Sequence, residues 1–429
     1  MPRILVIQLA RFGDLVQTRR LMLSLAAEPE VETHLCLDES LAPLARLLYP
    51  KVVLHPVTAH GTRLAKLPAA QQAQAILGAN VPAFARLKSI AFDRVYNLNF
   101  SPLNFRLAAL FDPAVVRGHV WRGGQEEVGQ WARLAMRWSS MRRVGLNIAD
   151  FWAWHHPRPV APDSVNPAAQ GRGGGLGVVM AGRESRRSLP PKVLAGLVTG
   201  LRELTGGGLT LFGSASEAPA AHQLLRELPP RSAHGARNLC GATDWVGLAE
   251  ALAGLDLVLT PDTGTMHLAA ALGVPVLATF LSSAWCQETG PYGLGHRVVQ
   301  ADIDCAPCLE SRPCDLGVAC LKPYGDARLL RLLATSDARH LPDGLTLYRS
   351  SLDGLGACFT SLAGPDTHAE LRAQLRNFLS RHLGLGGNWS EMPLNALAER
   401  LYGERDWLVD DAEASFGRFA DITGLNNAL

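Results

Sequence analysis

Leu255–Phe280, LDLVLTPDTGTMHLAAALGVPVLATF, decides the fold class of this chain. The apolar run Asp256–Thr260 fits a buried strand, Pro261–Thr265 a tight polar turn, the following Ala-rich stretch a short helix, and Pro275–Phe280 a second buried strand. Asp262, Thr263, Gly264 and Thr265 fall where that helix begins. Free backbone N–H groups and the positive helix end favour a phosphate there. Gly264 lets a ligand approach the backbone with no Cβ in the way, and His267 lies within reach on the first helical turns. Two readings stand side by side: an ordinary βαβ unit with Asp262 or Thr263 as helix cap, or a ligand turn. Strand ends, turn and helix start all face the crevice where open α/β sheets hold ligands, which favours the second.

Working outward, the same strand–helix rhythm appears twice. The first half opens with a strand at Ile4–Leu9, a glycine turn and a helix from about Leu15, and Thr33–Leu37 and Arg94–Asn97 fit further parallel strands. The Trp-rich stretch Trp121–Trp154 has helical spacing, and its aromatics read as core. Pro157–Pro162 and Gly171–Gly175 together make the strongest linker signal in the chain. Strands resume at Gly177–Met180 and Leu209–Phe212. This predicts an N-terminal Rossmann-like acceptor domain over 1–156, a linker over 157–175, a C-terminal Rossmann-like donor domain over 176–345 and a helical extension over 346–429. Leu371–Leu383, Leu394–Leu401 and Trp407–Phe419 carry the helical spacing of that extension, which would cover one domain or mediate self-association.

Composition narrows the function classes. At 429 residues and 48% hydrophobic content the chain can build two or three cores. No apolar stretch approaches the ~18–20 residues of a membrane span. A strand that starts at once leaves no room for a signal peptide, so the expectation is cytoplasmic. The net charge of +2 hides a basic surplus in residues 1–160 and an acidic one in 351–429. Scattered solvated arginines explain the first, as does an anionic acceptor or peripheral contact with an anionic inner-membrane surface. No nucleic-acid motif or dense basic run is present, which argues against nucleic acid.

The segment Asp262–Pro275 resembles the hallmark D-T-G-x-x-H-x-A-A-x-x-G-x-P of glycosyltransferase family 9, the ADP-heptose:lipopolysaccharide heptosyltransferases, at every fixed position. Asn238–Gly241 with Leu248, Ala249 and Leu252 is similar to that family's lead-in, and Ile4–Leu25, with Gly13-Asp14 between strand and helix, to its N-terminal signature. The resemblance spans roughly residues 1–325. It implies the GT-B fold, two Rossmann-like domains facing a cleft, and inverting transfer of a heptose from an ADP-heptose donor to a lipopolysaccharide core, or a protein, acceptor. The runner-up is a GT-B sugar-nucleotide-binding protein that does not transfer: an epimerase-like isomerase or a nucleotide sensor.

Transfer to an alcohol needs a base, a grip on the diphosphate and an oriented sugar. Asp14 matches the family's catalytic aspartate; as a residue on its own it would cap a helix starting at Leu15. Helix ends and cations neutralise the diphosphate. Where the family has a Lys or Arg before Trp-Pro, this chain has Arg186, Arg187, Ser188, Leu189 and Pro190, so Arg187 is the first choice and Arg186 the second. Ser185 adds a hydroxyl for a phosphate oxygen. Glu217 matches the family's ribose-binding glutamate; taken alone it is a first-turn acid. Asp262, repelled by phosphate, is left to order the turn or accept from sugar hydroxyls, with the Thr263, Gly264 and Thr265 amides and His267 donating to phosphate.

The resemblance implies no cofactor for catalysis. Cys305-x2-Cys308-x5-Cys314-x5-Cys320 packs four of the eight cysteines into one loop, a pattern open to a structural Zn or Fe, to packed reduced thiols or to disulfides. A cytoplasmic location argues against the last. Cys36, Cys240, Cys286 and Cys358 read as lone buried cysteines.

Overall fold

The computed structural model describes residues 1–59, 69–139, 142–180, 185–309 and 313–385. Two units separate by their internal contacts. The first takes residues from 1–140 and 149–160 and the chain from 374; the second takes residues from 141–148 and 161–373.

In the first unit the strands are β1 (Arg3–Gln8), β2 (Glu32–Asp38), β3 (Val53–Val57), β4 (Arg94–Asn97), β5 (Val116–Arg122) and β6 (Gln125–Val128), in the order β3-β2-β1-β4-β5-β6. All pairings are parallel except β5–β6. From β1 the chain winds one way to β2 and β3 and then the other way to β4 and β5, so the sheet reverses between β1 and β4. Leu5, Ile7, Val95, Leu87 and Leu107 are buried together in its core. Each such side chain contributes about 1.5–3 kcal/mol on leaving water.

The second unit carries β7 (Leu176–Val179), β8 (Leu209–Phe212), β9 (Arg237–Asn238), β10 (Leu257–Thr260), β11 (Val276–Phe280), β12 (Arg297–Ala301), β13 (Leu345–Leu352) and β14 (Ala357–Ala363). Their order is β14-β13-β12-β11-β10-β7-β8-β9, parallel from β9 through β12 and antiparallel beyond. This sheet reverses between β7 and β10. Leu194, Leu197, Val198 and Leu201 of the helix Pro191–Thr205 recur at helical spacing and are buried with Leu176, Val178, Leu209 and Leu211 of the sheet.

Several sequence expectations are revised. The first helix runs Phe12–Gln17 rather than from Leu15, because Arg11 adopts the extended cap conformation. Trp121 lies in β5; the helices of that stretch are Gln130–Ser139 and Ile148–Ala153. Residues 346–363 are strand before they are helix: β13 adds antiparallel to β12, and β14 closes the edge. Helix begins only at Ala369–His382. Leu394–Leu401 and Trp407–Phe419 lie outside the described residues. Residues 142–148 group with the second unit, for which two arginines give the reason. Arg142 donates to the Ser283 and Cys308 carbonyls and to Glu288, and Arg143 to the carbonyls of Ile303 and Ala306. Among the described residues no helix is long and apolar enough to cross a membrane.

Candidate functional site

The chain leaves β7 and β10 side by side at the sheet's reversal, and both strands send charged residues into the loops at their C-terminal ends. Past β7, Ser185–Arg187 forms a single 3-10 turn; of Ser185 only the backbone is described. Arg187 reaches across to the loop after β10, where its guanidinium donates to Oδ2 of Asp262. Thr289 Oγ1 donates to the same oxygen at 3.0 Å, and His267 Nε2 stands 3.7 Å from Oδ1. The carboxylate is 10% exposed, and burial opposes its ionisation. His267, Arg187 and Thr289 outweigh that and hold Asp262 below the ordinary carboxylate range. Arg187 keeps its Nε buried and without a partner among the described residues. Arg186 turns elsewhere, toward the Leu309 carbonyl at 3.4 Å.

Directly after Asp262, Thr263 is the N-cap of the helix Gly264–Ala271, its side chain accepting from Met266 N. The Gly264 and Thr265 amides are thus the first two of a helix and have no partner within it. At the neighbouring strand end, Glu217 closes a capping box with Ser214 around the turn after β8. It lies near Cys240, whose thiol is pushed up to about 11 by burial and by the Glu217 charge.

Thr289, Glu288 and Arg142 were not expected. Glu288 is raised above the usual carboxylate range by burial and by the charge of Asp262, against the pull of Arg142. None of the three stands in a motif, and only the folding of the loop after β11 onto Asp262 reveals them.

In the first unit Asp14 is the third residue of the helix Phe12–Gln17 rather than its cap. Its carboxylate accepts from the Arg11 amide at 3.0 Å, which fixes it at the C-terminal end of β1. Asn99, past the adjacent β4, accepts from the Leu9 amide at 2.8 Å and pins the two strand ends together. Asp14 therefore sits at the reversal point of its own sheet, as Arg187 and Asp262 do at theirs.

The four clustered thiols lie close enough that Cys305, Cys308 and Cys314 all act on Cys320, which burial raises above the usual thiol value. Ser282 Oγ meets Cys308 Sγ at 3.2 Å, and the Val318 amide donates to Cys314 Sγ at 3.3 Å. Among the described residues, however, no three His, Cys, Asp or Glu side chains are placed to hold a metal ion. As placed, the thiols do not form the closed tetrahedral cage of a structural Zn site. Of the other cysteines, Cys36 and Cys286 are buried as expected, whereas Cys240 and Cys358 are only half-buried.

Residues 200–317 match the model of glycosyltransferase family 9 (heptosyltransferase). The family resemblance holds. This family 9 segment includes β10, the helix Gly264–Ala271 and Thr289, but neither Arg187 nor Asp14. Lipopolysaccharide heptosyltransferase 1 of Pseudomonas aeruginosa is 38% identical over 101 residues, 23% of this chain and 26% of that protein. Lipooligosaccharide heptosyltransferase 2 of Haemophilus influenzae is 33% identical over 75 residues, 18% of this chain and 22% of that protein. The match thus spans about a quarter of the length of these curated relatives. A glycosyl transferase family 9 structure from Veillonella parvula aligns with 71% of this chain and 88% of its own, at 15% identity and a TM-score of 0.52. That likeness establishes the fold, two Rossmann-like sheets of the GT-B class.

Proposed function

We propose that the protein is an inverting glycosyltransferase that moves a heptose from an ADP-heptose donor to a lipopolysaccharide core or related acceptor. One observation carries the reading. The reversal point of the second sheet, inside and beside the family 9 segment, gathers Arg187, His267 and two helix amides with no partner in their helix around a single turn. Cation, imidazole and helix N-terminus are a diphosphate's counter-charges, and all three are most effective where water is scarce.

In this reading Asp14 takes the proton of the acceptor hydroxyl as its oxygen attacks the anomeric carbon. The bond from that carbon to the β-phosphate oxygen breaks, and ADP leaves carrying the pair. Arg187 and the Gly264 and Thr265 amides stabilise the charge that develops on the departing diphosphate, Ser185 and Arg186 flank it, and Glu217 accepts from the ribose hydroxyls. Asp262 holds Arg187 and His267 in place instead of touching phosphate. No catalytic metal enters these steps. The loop Cys305–Cys320 has a structural part, as reduced thiols or as ligands to a Zn or Fe. A cytoplasmic enzyme that meets a membrane-bound, anionic acceptor peripherally fits the basic surplus of residues 1–160.

The test is to incubate the protein and its Asp14→Asn variant with ADP-heptose and with other nucleotide sugars, with and without acceptor, and to follow nucleoside diphosphate release. Acceptor-dependent ADP release by the parent alone supports transfer. Binding of the nucleotide sugar without release, equal in both proteins, would make this a sensor instead.

A further inference from the structure

The strand that ends beside Asp14 closes on a glutamine. Ile4, Leu5, Val6 and Ile7 are apolar and buried, as a central strand requires, and Gln8, the last residue of β1, is 0% exposed. A primary amide placed there costs free energy unless both of its ends are bonded. Both are: its Oε1 accepts from the Ala10 amide at 3.3 Å, and its Nε2 donates to Thr18 Oγ1 at 3.0 Å. Thr18 is equally buried and stands at the joint between two helices, C-cap of Phe12–Gln17 and N-cap of Arg19–Ala26. Its hydroxyl has one hydrogen, which goes to the Asp14 carbonyl at 2.8 Å.

The bond directions in this relay agree from end to end. A carbonyl can only accept, so the Thr18 hydroxyl spends its hydrogen on Asp14 and takes its other bond from an N–H. That turns Nε2 of Gln8 toward Thr18. The Ala10 amide can only donate, and it demands the same orientation of Gln8 from the opposite side. The helix so held needs holding. With six residues, Phe12–Gln17 is far short of the about 12–15 at which an isolated helix becomes even marginal, so it keeps its place through its ties. One tie is Tyr49, whose hydroxyl donates to the Leu15 carbonyl at 2.8 Å. Another is Thr18, and this one runs back through Gln8 to the loop whose Arg11 amide holds the Asp14 carboxylate at 3.0 Å. Gln8 thus grips the loop before Asp14 and, through Thr18, the backbone of Asp14 itself.

We infer that Gln8 and Thr18 are positioning residues for Asp14, which together set where its carboxylate stands at the end of β1. The inference rests on the reading of Asp14 as the base of the transfer. Neither residue touches substrate in it. A base acts only within hydrogen-bond reach of the proton it takes, and a displacement of about 1 Å can cost about a hundredfold in rate. Valine comes close to threonine in size, and methionine to glutamine, but neither can carry the relay.

Steady-state ADP release from ADP-heptose, with heptose-free lipopolysaccharide as acceptor and well below each variant's melting midpoint, tests this. Thr18→Val and Gln8→Met should lower kcat about tenfold or more and leave KM for ADP-heptose within about twofold, since the proposed donor site lies in the other unit. Thr18→Ser keeps the hydroxyl and should stay within about threefold of the parent. Tyr49→Phe removes the other tie and should lower the melting midpoint with kcat held within about twofold. In an Asp14→Asn background, Thr18→Val should change the residual turnover less than about twofold, because no base is left to position; a merely structural loss would multiply through. Values of kcat within about twofold of the parent for both Thr18→Val and Gln8→Met, beside a large loss in Asp14→Asn, overturn the positioning role and leave the base standing. Parent-like turnover in Asp14→Asn sinks the base reading, and this inference with it. Amide hydrogen exchange by NMR needs no acceptor. Protection at Ala10 and Arg11 should fall about fivefold or more in Thr18→Val and Gln8→Met but not in Tyr49→Phe, and unchanged protection overturns the relay whatever the turnover.

Discussion

Breaking the Arg187–Asp262 pair probes the proposed donor site most directly. In Arg187→Ala the Asp262 carboxylate keeps Thr289 at 3.0 Å and His267 at 3.7 Å but loses its full positive charge. In Asp262→Asn the guanidinium, 16% exposed, faces a neutral amide. Removing one partner of a buried pair costs about 3–5 kcal/mol in a dry interior. The residual exposure of both groups and the remaining partners of Asp262 bring the expectation to ~2–4 kcal/mol for either change. In a unit of this size each kcal/mol moves the midpoint by about 2–4 °C, so a drop of ~4–16 °C is expected in differential scanning calorimetry. The double variant should lose less than the sum of the singles, with a coupling of ~1.5–3 kcal/mol, because the second change removes the charge that the first left stranded. The same proteins titrated with ADP should show Arg187→Ala weakened by ~1–3 kcal/mol, the worth of a charge-assisted contact. A coupling below ~0.5 kcal/mol, within the range of independent sites, would refute the ion pair as the organiser of this turn.

Further outcomes are expected. Asp14→Asn should cut turnover about a hundredfold or more while ADP affinity holds, as for a lost general base; turnover within a factor of two of the parent removes Asp14 from the mechanism. His267→Ala should weaken ADP by roughly 1–3 kcal/mol in calorimetry, and no change would place the diphosphate elsewhere. Replacing any one of Cys305, Cys308, Cys314 or Cys320 should lower the melting midpoint and spare ADP affinity in the folded fraction. Metal analysis of protein purified without chelators then chooses between a metal and packed thiols, with less than ~0.2 metal per chain meaning thiols. Stability should fall as pH drops from 6.5 toward 4, because His119, His155, His296 and His382 stay neutral in the fold to about 4 but protonate near 6.5 once unfolded. The unfolded chain binds more protons across that window, so ΔG of unfolding must rise with pH within it. A melting midpoint flat between pH 4.5 and 6.5 would contradict the burial of these rings.

How far the sequence could be read depended on whether the signal was local. Leu209–Phe212 and Arg94–Asn97 appear as strands to the residue, because each holds β-branched and aromatic residues in a short run between turns. The turn Asp262–Thr265 could be placed at a helix start from its residue types alone. β13 could not: Thr346, Arg349, Ser350 and Ser351 dilute its apolar alternation, and its identity comes from pairing with β12 and β14. The helix that holds Asp14 was set to start about one turn late, at Leu15 rather than Phe12, since Arg11 is an unusual cap residue. The partner of Arg187 was beyond reach for another reason. Arg187 and Asp262 are separated by 75 residues, and only the reversal of strand order between β7 and β10 makes them neighbours.

The hold of Asp262 on Arg187 has a bearing on how fast the site can work. An arginine waiting in open solvent would give a diphosphate the whole value of a new ion pair, and would surrender it as slowly. Here the guanidinium already has an anion that stays with it, so on the transfer reading an incoming phosphate meets the N–H groups the pair leaves over and gains only part of a full ion pair. Little rearrangement is needed on arrival. Such a partial gain keeps affinity moderate at both ends of the cycle, and a product that leaves readily is what sustained turnover requires.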